Sequence, residues 1–401
     1  MKSKTTTMFE AIGDQGLMTD GDWVESKDQD LNGDVRLIQL ADIGDGVFLN
    51  KSRKYVTSET VEKLRCTLIK KEDVLIARMP DPLGRACVFP DLKQPAITAV
   101  DICIVRTRRN DINPDWLAYY LNSPGIRLQI QNQAQGATRA RVPTGKLKKL
   151  VVQIPSITDQ CRIAARLKAQ LTEVEKARKA AEAQLHNVHL LETRTLEAIF
   201  AELETVPRTK IGDVAQTTSG STPARGQKNY WEPADVPWVK TAEVAFAPIT
   251  STEESISQTA FQECSLTLLP PKTVLVAMYG QGKTRGQSAI LEVAATTNQA
   301  CFAILPNETW EQEFLYYWLK RSYSDLRTLS EDRGGNQANL NGALLKAFEV
   351  PTPEKSVQRK IVEKVGLALE AINLVYESCN RTLVDIQQIP NRLLSKVFEM
   401  N

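Results

Sequence analysis

The sequence predicts an α+β protein with two globular α/β domains, separated by an antiparallel pair of long coiled-coil helices and built as an internal tandem repeat of about 200 residues. Three observations predict this class. Short segments recur in the same order at an almost constant spacing. Each repeat begins with short β-favouring runs separated by Gly, Pro, Asn and Asp. Each repeat ends with a long stretch whose apolar residues recur at alternating steps of four and three.

The composition is that of a globular protein with several domains. Of the 401 residues, 42% are hydrophobic and 24% are charged, which excludes a wholly disordered or collagen-like chain. The longest apolar runs, such as 273–278, are far shorter than the ~18 residues that a membrane span requires. Lys2 and Lys4 are followed by threonines, so no secretory signal is expected. Seven cysteines without a C-x-x-C pair favour a reducing, cytoplasmic location over a disulfide framework or a zinc site.

The histidines and the charges limit the possible chemistry. His186 and His189 are the only histidines, which excludes a histidine-based triad or a multi-histidine metal site elsewhere. They lie three residues apart on a predicted helix, where a solvated face is favoured over a metal clip. The net charge is only +2, but basic residues cluster in the first 150 positions, which mildly favours a polyanionic partner. These residues are Lys51, Arg53, Lys54, Arg106, Arg108, Arg109, Arg139, Arg141, Lys146, Lys148 and Lys149.

The repeat is clearest in one apolar segment, which reads D-V-L-I-A-R at 73–78 and T-V-L-V-A-M at 273–278. Further pairs follow in order, namely 116–121 with 314–319, 136–142 with 334–340, 154–155 with 350–351, 160–163 with 358–361, and 194–200 with 392–398. One offset of about 196 to 201 covers all of them, so the chain contains two copies of one unit. We place globular domains at 1–155 and 207–352, and long helices at 156–206 and 353–401.

The globular part of each copy predicts a compact domain. The β-favouring runs are 35–40, 74–77 and 97–105 in the first copy, and 236–240, 274–277 and 300–305 in the second. One helix is predicted around 116–121 and its counterpart around 314–319.

The end of each copy predicts a coiled coil. The first seam is Leu167, Leu171, Val174, Arg178, Ala181, Leu185, Val188, Glu192, Thr195 and Ile199. The second seam is Ile361, Val365, Ala368, Ile372, Val375, Cys379, Thr382, Ile386, Ile389 and Leu393. Because the stripes match in length, each is expected to bury the other along a rod of about 67 Å. Such a rod suits the reading of two half-sites, although a plain spacer or dimerisation stalk is an equal alternative. Pro390 predicts a kink or break near the last two turns.

Residues 277–284 nearly match a phosphate-binding loop, G-x-x-x-x-G-K-[ST], but Ala277 replaces the first glycine. Residues 287–291 predict a returning strand where the motif requires a helix, which disfavours an NTPase. A hairpin loop carrying Gln281, Lys283, Thr284 and Arg285 instead suits DNA, because these side chains can pair with guanine and adenine edges. A solvated polar turn is the alternative.

A second loop differs between the copies although its flanks repeat. It spans 136–141 in the first copy, with Arg139 and Arg141, and 334–339 in the second. The second version carries amides instead, at Asn336, Gln337 and Asn339. Two domains with similar flanking sequence but different polar loop residues are expected to read different DNA sequences rather than a palindrome.

In this pattern the chain resembles the specificity subunit of type I restriction-modification systems over essentially its whole length. The motifs that carry the resemblance, in order, are I-G-D-V at 211–214, S-G-S-T-P at 219–223, Y-W at 230–231, V-P-W-V-K at 236–240, the glycine-rich loop at 280–286, T-N-Q-A at 297–300, and the Gln-x-x-Ile steps at 160–163 and 358–361. The first domain departs from the pattern because it lacks the T-P-x-x-x-x-x-x-Y-W stretch.

The resemblance implies a non-catalytic DNA reader. Two target-recognition domains would each contact half of an asymmetric, interrupted target in double-stranded DNA, and the paired helices would act as a ruler. Two methylation subunits, which hold S-adenosylmethionine and modify adenine N6, would dock on the helices, and a restriction subunit with ATP and Mg²⁺ is a further partner. No catalytic, cofactor or metal residue is expected on this chain.

We expect DNA contacts from a set of polar residues in both copies. These are Arg78, Arg85, Arg139, Arg141, Ser221, Thr222, Arg225, Lys240, Gln281, Lys283, Thr284, Arg285, Asn336, Gln337 and Asn339. The alternative function is a DNA-independent coiled-coil scaffold.

Overall fold

A computed structural model of the chain describes residues 3–13, 15–80, 82–107, 111–136, 140–280, 282–331 and 339–399, with only the backbone given at 330 and 331. The chain divides into two compact units. Unit 1 comprises 1–182 and 381–401, and unit 2 comprises 183–380. Each unit therefore holds one globular part of the repeat and one half of each long helix.

The elements of unit 1 follow the predicted order of strands before a long helix. In chain order they are β1 (Lys4–Thr7), α1 (Met8–Ile12), β2 (Leu17–Asp20), β3 (Val35–Ile38), β4 (Tyr55–Val56), α2 (Ser58–Leu64), β5 (Val74–Ala77), β6 (Ala86–Val88), β7 (Ala96–Thr98), β8 (Ile102–Arg106), α3 (Pro114–Asn122), α4 (Pro124–Gln131), α5 (Thr144–Lys148), β9 (Val151–Ile154) and α6 (Ile157–Phe200), which continues into unit 2. The sheets are β2-β8-β5-β6, β4-β3-β7 and β1-β9.

Unit 2 repeats this order with one additional described strand, β13, which makes its larger sheet five-stranded. Its elements are β10 (Arg208–Lys210), α7 (Ile211–Val214), β11 (Thr217–Ser219), β12 (Val236–Val239), β13 (Pro248–Ile249), β14 (Glu254–Ile256), α8 (Gln258–Glu263), β15 (Val274–Ala277), β16 (Ser288–Leu291), β17 (Thr296–Thr297), β18 (Cys301–Ile304), α9 (Gln312–Arg321), α10 (Tyr323–Glu331), α11 (Gly342–Lys346), β19 (Glu349–Pro351) and α12 (Lys355–Phe398), which continues into unit 1. The sheets are β11-β18-β15-β16-β13, β14-β12-β17 and β10-β19.

The two units share their strand pairing, which confirms the tandem repeat. In the larger sheet of each, Val74 lies opposite Val105 and Val274 lies opposite Ile304. Each smaller sheet contains a parallel pair, β3 with β7 and β12 with β17. Every residue of β5 and β15 is buried, because both faces of these central strands are covered.

One predicted strand of the first copy is wrong as a single element. The run 97–105 is divided into β7 and β8, which belong to different sheets and are separated by a turn at Val100 and Asp101. The apolar pattern continues across the turn because both strands are buried, so periodicity alone did not mark the change of sheet.

The long helices pair in opposite directions inside each unit. In unit 1, Leu167 near the start of α6 shares a buried cluster with Leu394 near the end of α12. In unit 2, Phe200 at the end of α6 shares a core cluster with Ile361 near the start of α12. The antiparallel arrangement is therefore confirmed within each unit.

Two details of the predicted second seam are wrong. Val375 and Thr382 are exposed, whereas the next residues, Tyr376 and Leu383, are partly buried. An α-helix has 3.6 residues per turn, so a seven-residue stripe drifts by about 20° per heptad and the neighbouring position takes over.

The predicted break at Pro390 is also wrong, because α12 continues through it to Phe398. Beyond the proline, Phe398 packs against Trp116 and Tyr120, with ring centroids 6.3 and 5.3 Å away. Burial of these rings offsets the loss of one helical hydrogen bond, which costs about 3 kcal/mol.

Within the described part of the chain, no helix combines the length and the apolar character that crossing a bilayer requires.

Candidate nucleic-acid interface

The near match to a phosphate-binding loop forms a hairpin loop between β15 and β16. The amide of Gly286 donates to the carbonyl of Ala277 over 2.9 Å, and the amide of Ala277 donates to the carbonyl of Gln287 over the same distance. Gly286 has a φ of +86°, which favours glycine. The strand that follows, where a phosphate-binding loop needs a helix, means that no helix N-terminus is available to hold a phosphate.

The hairpin loop presents only part of its predicted DNA-contacting set. Lys283 is exposed and Thr284 is partly exposed, so both are accessible. Arg285 is only 7% exposed, so as placed its side chain presents little surface to a ligand, and its DNA contact stays a prediction. Gln281 lies outside the described residues.

Arg78 in unit 1 supports the interior of the protein. It is 2% exposed and donates to the carbonyls of Val100 and Val142 over 2.6 and 3.3 Å. Burial lowers the pKa of its guanidinium, while the Asp20 carboxylate, 3.2 Å away, acts against that shift. As placed, this side chain does not reach a ligand at the surface.

Arg85, at the end of the matching hairpin loop of unit 1, is partly buried. It donates to the carbonyl of Leu40 over 2.8 Å. This contact connects the loop to the short helical turn after β3, so the residue has a structural role in addition to any role at the surface.

The second loop returns to the same place in both units. The amide of Val142 donates to the carbonyl of Arg78 over 3.0 Å, and the amide of Leu340 donates to the carbonyl of Met278 over 3.1 Å. In each unit the second loop therefore ends beside the hairpin loop, at the same end of the larger sheet. The structure thus brings together two loops that the sequence separates by about 60 residues.

Two described residues of the second loop are polar and accessible. Arg141 forms an ion pair with Asp101 at 3.0 Å and is partly exposed, and Asn339 is exposed. Arg139, Asn336 and Gln337 lie outside the described residues.

A third segment passes beside the end of an edge strand of the smaller sheet in each unit, β7 or β17, at a glycine. A Cβ on Gly21 would lie 2.1 Å from the carbonyl oxygen of Ala99, and one on Gly220 would lie 1.7 Å from that of Thr297. Only glycine fits such a close backbone approach. We call 21–23 and 220–222 the crossing segments of units 1 and 2.

The crossing segment of unit 2 contains two predicted DNA-contacting residues. The carbonyl of Ser221 accepts from the indole of Trp238 over 3.0 Å, which fixes this backbone, and the Thr222 hydroxyl donates to the side-chain carbonyl of Gln299. Thr222 is exposed and Ser221 is partly exposed, so both are accessible.

The equivalent position in unit 1 holds a residue that our sequence reasoning missed. Trp23, two residues after Gly21, is 69% exposed, as Thr222 is exposed two residues after Gly220. A large exposed aromatic side chain beside polar loops is typical of contact surfaces. Aligning the repeats on Gly21 and Gly220 would have identified it from the sequence.

Arg225 lies on an aromatic support. Its guanidinium carbon is 4.0 Å from the ring centroid of Trp231 and 5.2 Å from that of Trp238. The two rings meet edge to face at 5.4 Å. Cation–π attraction holds the planar guanidinium in one orientation, so that its free edge can face a ligand.

Two glutamates form ion pairs with the basic side chains near Trp231. Glu254 forms ion pairs with both Arg225 and Lys240, the latter at 3.1 Å, and Glu253 approaches Lys240 at 2.6 Å. The hydrogen bond from Arg225 is the main cause that lowers the pKa of Glu254, and the bond to Glu253 is the main cause that raises the pKa of Lys240. Both shifts favour the charged forms of Glu254 and Lys240, and an incoming phosphate must compete with the carboxylates for the cations.

The buried cysteines are chemically inactive. Burial raises the pKa of the Cys87, Cys103 and Cys301 thiols to about 12, so they stay protonated at neutral pH and are poor nucleophiles. Among the described residues, no group of three or more His, Cys, Asp and Glu side chains could hold a metal ion. His186 and His189 are both exposed on α6, and the His189 ring lies 5.4 Å from that of Tyr376.

Comparison with known families identifies the family of both repeats. The family model described as the type I restriction modification DNA specificity domain matches the chain twice, at residues 10–183 and 204–366. The chain belongs to this specificity family. The two matches correspond to the two repeats, and the hairpin loop, second loop and crossing segment fall inside each of them.

Curated members of the specificity family are similar over part of their length. The specificity subunit of the type I restriction enzyme EcoR124I/EcoR124II from Escherichia coli is 25% identical over 238 residues, 59% of this chain and 56% of that protein. The MjaIX specificity subunit of Methanocaldococcus jannaschii is 33% identical over 160 residues, 38% of this chain and 35% of that protein. The chain thus spans about half or less of these relatives' length.

A solved structure shares the fold of this specificity-family chain. A protein from a study of complex assembly and conformational transition of the type I restriction-modification system has a TM-score of 0.75 at 17% identity, covering 99% of this chain and 97% of that one.

Proposed function

We propose that this chain is the DNA-reading, non-catalytic specificity subunit of a cytoplasmic type I restriction-modification complex. Unit 1 reads one half of an interrupted target and unit 2 reads the other half. Two methylation subunits dock on α6 and α12 and supply S-adenosylmethionine chemistry at adenine, and a restriction subunit that uses ATP and Mg²⁺ is a further partner. Membership of the specificity family supports this assignment, and the geometry of the loops supports the division of labour.

One observation carries the proposal. In each unit the hairpin loop and the second loop meet at the same end of the larger sheet, beside Arg78 or Met278, while the side chains of the two versions differ. The shared backbone arrangement presents both loops to DNA in the same way in each unit, and the different loop side chains read different bases. The target is therefore asymmetric, because identical loop side chains in the two units would favour a palindrome.

The accessible side chains have the chemistry of direct readout. Lys283 can donate to guanine O6 and N7, and Asn339 can pair with adenine N6 and N7. Arg225 presents a planar guanidinium, which suits phosphate or guanine. In unit 1, Arg141 supplies a cation and Trp23 an apolar face for a thymine methyl group or a sugar.

The long helices provide the spacing and a docking surface for protein partners. Each has 44 residues and therefore a length of about 66 Å. Within unit 2, several apolar side chains on these helices are exposed, namely Leu190, Leu191, Leu367 and Leu374. Exposed apolar residues on a helix favour a protein partner, for which methylation subunits are proposed here.

The test is to exchange residues 1–155 for the corresponding domain of another specificity subunit. The chimera and the parent are each expressed with the methylation subunits, and the methylated adenines are sequenced. We expect one half-site to change while the other half-site and the spacer stay the same. A change in both halves contradicts the modular assignment.

A footprint of the assembled complex separates this proposal from the scaffold alternative. We expect two protected patches with an indifferent gap between them. A complex whose methylation pattern and footprint do not depend on either unit would instead support a DNA-independent scaffold.

A further inference from the structure

The hairpin loop of unit 2 lies against helix α10. A Cβ on Gly286 would lie 3.4 Å from Cγ of Arg327 and 3.5 Å from Cδ2 of Tyr323, which is ordinary van der Waals contact. The returning end of the loop therefore packs directly on these two side chains.

The same two side chains hold the loop backbone by hydrogen bonds. The Tyr323 hydroxyl donates to the carbonyl of Lys283 over 2.7 Å. The Arg327 guanidinium donates to the carbonyl of Gly282 over 2.6 Å and to that of Arg285 over 3.3 Å. The remaining carbonyl of the stretch 282–285 belongs to Thr284 and accepts from a loop amide. All four consecutive carbonyls thus have partners, three of them supplied by α10.

Tyr323 is itself fixed by its surroundings. Its ring meets that of Phe246 edge to face at 5.2 Å, and its hydroxyl accepts from Arg327 over 3.2 Å. The backbone of Phe246 is held in turn, because its amide donates to the carbonyl of Ser288 over 2.9 Å and its carbonyl accepts from the Tyr316 hydroxyl over 2.6 Å. The support of the loop is therefore a continuous part of the unit 2 core.

In unit 1 an arginine also packs on the loop glycine, but its guanidinium has different partners. A Cβ on Gly84 would lie 3.2 Å from Cδ of Arg127, so this arginine also touches the loop glycine. Its guanidinium, however, bonds to the side chains of Asp45 and Asn122. Direct support of the loop backbone by the helix is thus found in unit 2 and not among the described residues of the unit 1 loop.

We propose that Tyr323 and Arg327 are positioning residues that set which bases the hairpin loop of unit 2 recognises, without touching DNA themselves. By binding three loop carbonyls they fix the backbone conformation at Lys283 and Thr284. The two side chains therefore enter the DNA groove at one fixed position relative to the bases. A loop that is pre-ordered in its binding conformation loses little entropy on binding the correct site and gains little from a wrong one. This inference rests on the proposed DNA-reading function.

The test uses the assembled methylation complex with the variants Tyr323→Phe, Arg327→Lys and Arg327→Met. Phenylalanine keeps the ring packing and removes the hydroxyl, which donates to Lys283 and accepts from Arg327. Lysine keeps one charge and part of the donor capacity. Arg321→Lys is the matched control, because Arg321 pairs with Asp325 at 2.8 Å and has no described contact with the loop. Sequencing of the methylated adenines gives base discrimination at each position, and binding to unrelated DNA is measured in parallel.

We expect Tyr323→Phe to lower discrimination at the unit 2 half-site by about three- to tenfold, as the loss of the hydrogen bond to the Lys283 carbonyl implies. Arg327→Met should lose more than Arg327→Lys. Binding to unrelated DNA, the unit 1 half-site and the Arg321→Lys control should be unchanged. A merely structural role would lower the folded fraction and all binding together, which thermal melting of each variant detects.

Two results overturn the inference, and they differ in what they say of the proposed function. If Lys283→Ala changes the unit 2 half-site but Tyr323→Phe and Arg327→Met do not, the positioning role is wrong and the DNA-reading function stands. If neither Lys283→Ala nor exchange of 207–352 changes any base of the target, the proposed function fails as well. If Arg327→Met does not fold, Tyr323→Phe decides the matter alone.

Discussion

The guanidinium of Arg225 lies over the ring of Trp231, 4.0 Å from its centroid, while Glu254 pairs with the same guanidinium. The ring orients the arginine, and the carboxylate occupies one of its edges. Because a phosphate and Glu254 compete for the same cation, the carboxylate weakens contact with the DNA backbone.

Replacing this carboxylate is therefore expected to strengthen DNA binding. For Glu254→Gln we expect tighter binding to unrelated DNA and a salt dependence steeper by about one unit, since one more cation is available to a phosphate. Binding titrations at several salt concentrations measure both quantities. Glu263→Gln, which alters a carboxylate bonded to Tyr230 instead, is the control; equal salt slopes for the two variants would contradict the competition.

Arg225→Lys is expected to lower recognition of the unit 2 half-site even though the charge is kept. Lysine lacks the planar fork that stacks on Trp231 and offers two parallel donors. Sequencing of the methylated sites should show relaxed preference in one half only. Retention of full preference by the lysine variant would mean that Arg225 acts as a point charge.

Trp23→Ala should relax the half-site that unit 1 reads and leave the other unchanged. The side chain is 69% exposed, so the free energy of unfolding should change by less than about 0.5 kcal/mol. Chemical denaturation and sequencing of the methylated sites test the two parts separately. Leu31→Ala is a suitable control because it removes an apolar side chain that is 86% exposed elsewhere in unit 1.

Lys283 and Arg285 are two residues apart but should behave oppositely. Lys283→Ala should reduce discrimination at the unit 2 half-site by about 1 to 3 kcal/mol with little loss of stability. Arg285 is 7% exposed, so Arg285→Ala should chiefly lower the free energy of unfolding. If Arg285→Ala relaxes the half-site in a fully stable protein, its side chain must leave the interior when DNA binds.

Arg78→Met is expected to destabilise unit 1 by about 2 to 3 kcal/mol. The substitution removes a donor from the carbonyls of Val100 and Val142 and the ion-pair partner from Asp20, which keeps its hydrogen bond from Thr144. Loss of the partners of buried polar groups is costly. Denaturant unfolding measures the change. A variant that stays fully stable but loses half of the target would restore Arg78 as a DNA contact.

Matched insertions in the helices should change the spacer alone. Seven residues added between Glu182 and Ala183 and seven between Asn380 and Arg381 extend each helix by about 10.5 Å, or about three base pairs. We expect both half-sites to be retained and the gap between methylated adenines to lengthen. An insertion in only one helix mismatches the seam and should impair assembly.

Much of the architecture could be predicted from local patterns. The run around Val274 is apolar at every position because β15 is covered on both faces, and its recurrence near Val74 predicted the repeat directly. The helix containing Trp116 was predicted from its apolar residues, and the structure adds its capping, with Asn113 as N-cap and Pro114 in the first turn. Local chemistry of this kind does not depend on distant residues.

The candidate site was less predictable, because exposure depends on what packs on a loop. Arg285 and Lys283 are equally suited to DNA by residue type, and only the tertiary structure decides that Arg285 is buried while Lys283 is exposed. Trp23 was missed because its significance lies in its place after Gly21, not in its own neighbours.

By itself the sequence determined the duplication, the alternation of a mixed domain with a long helix, and the likeness to the specificity family, since these follow from periodicity and ordered motifs. Only the tertiary structure decided that the hairpin loop and the second loop share one end of a sheet, and that Tyr323 and Arg327 hold three loop carbonyls. The reason is physical: a pattern of residues encodes which face of an element is buried, whereas the partner of each polar group is chosen by packing between segments that are distant in the chain.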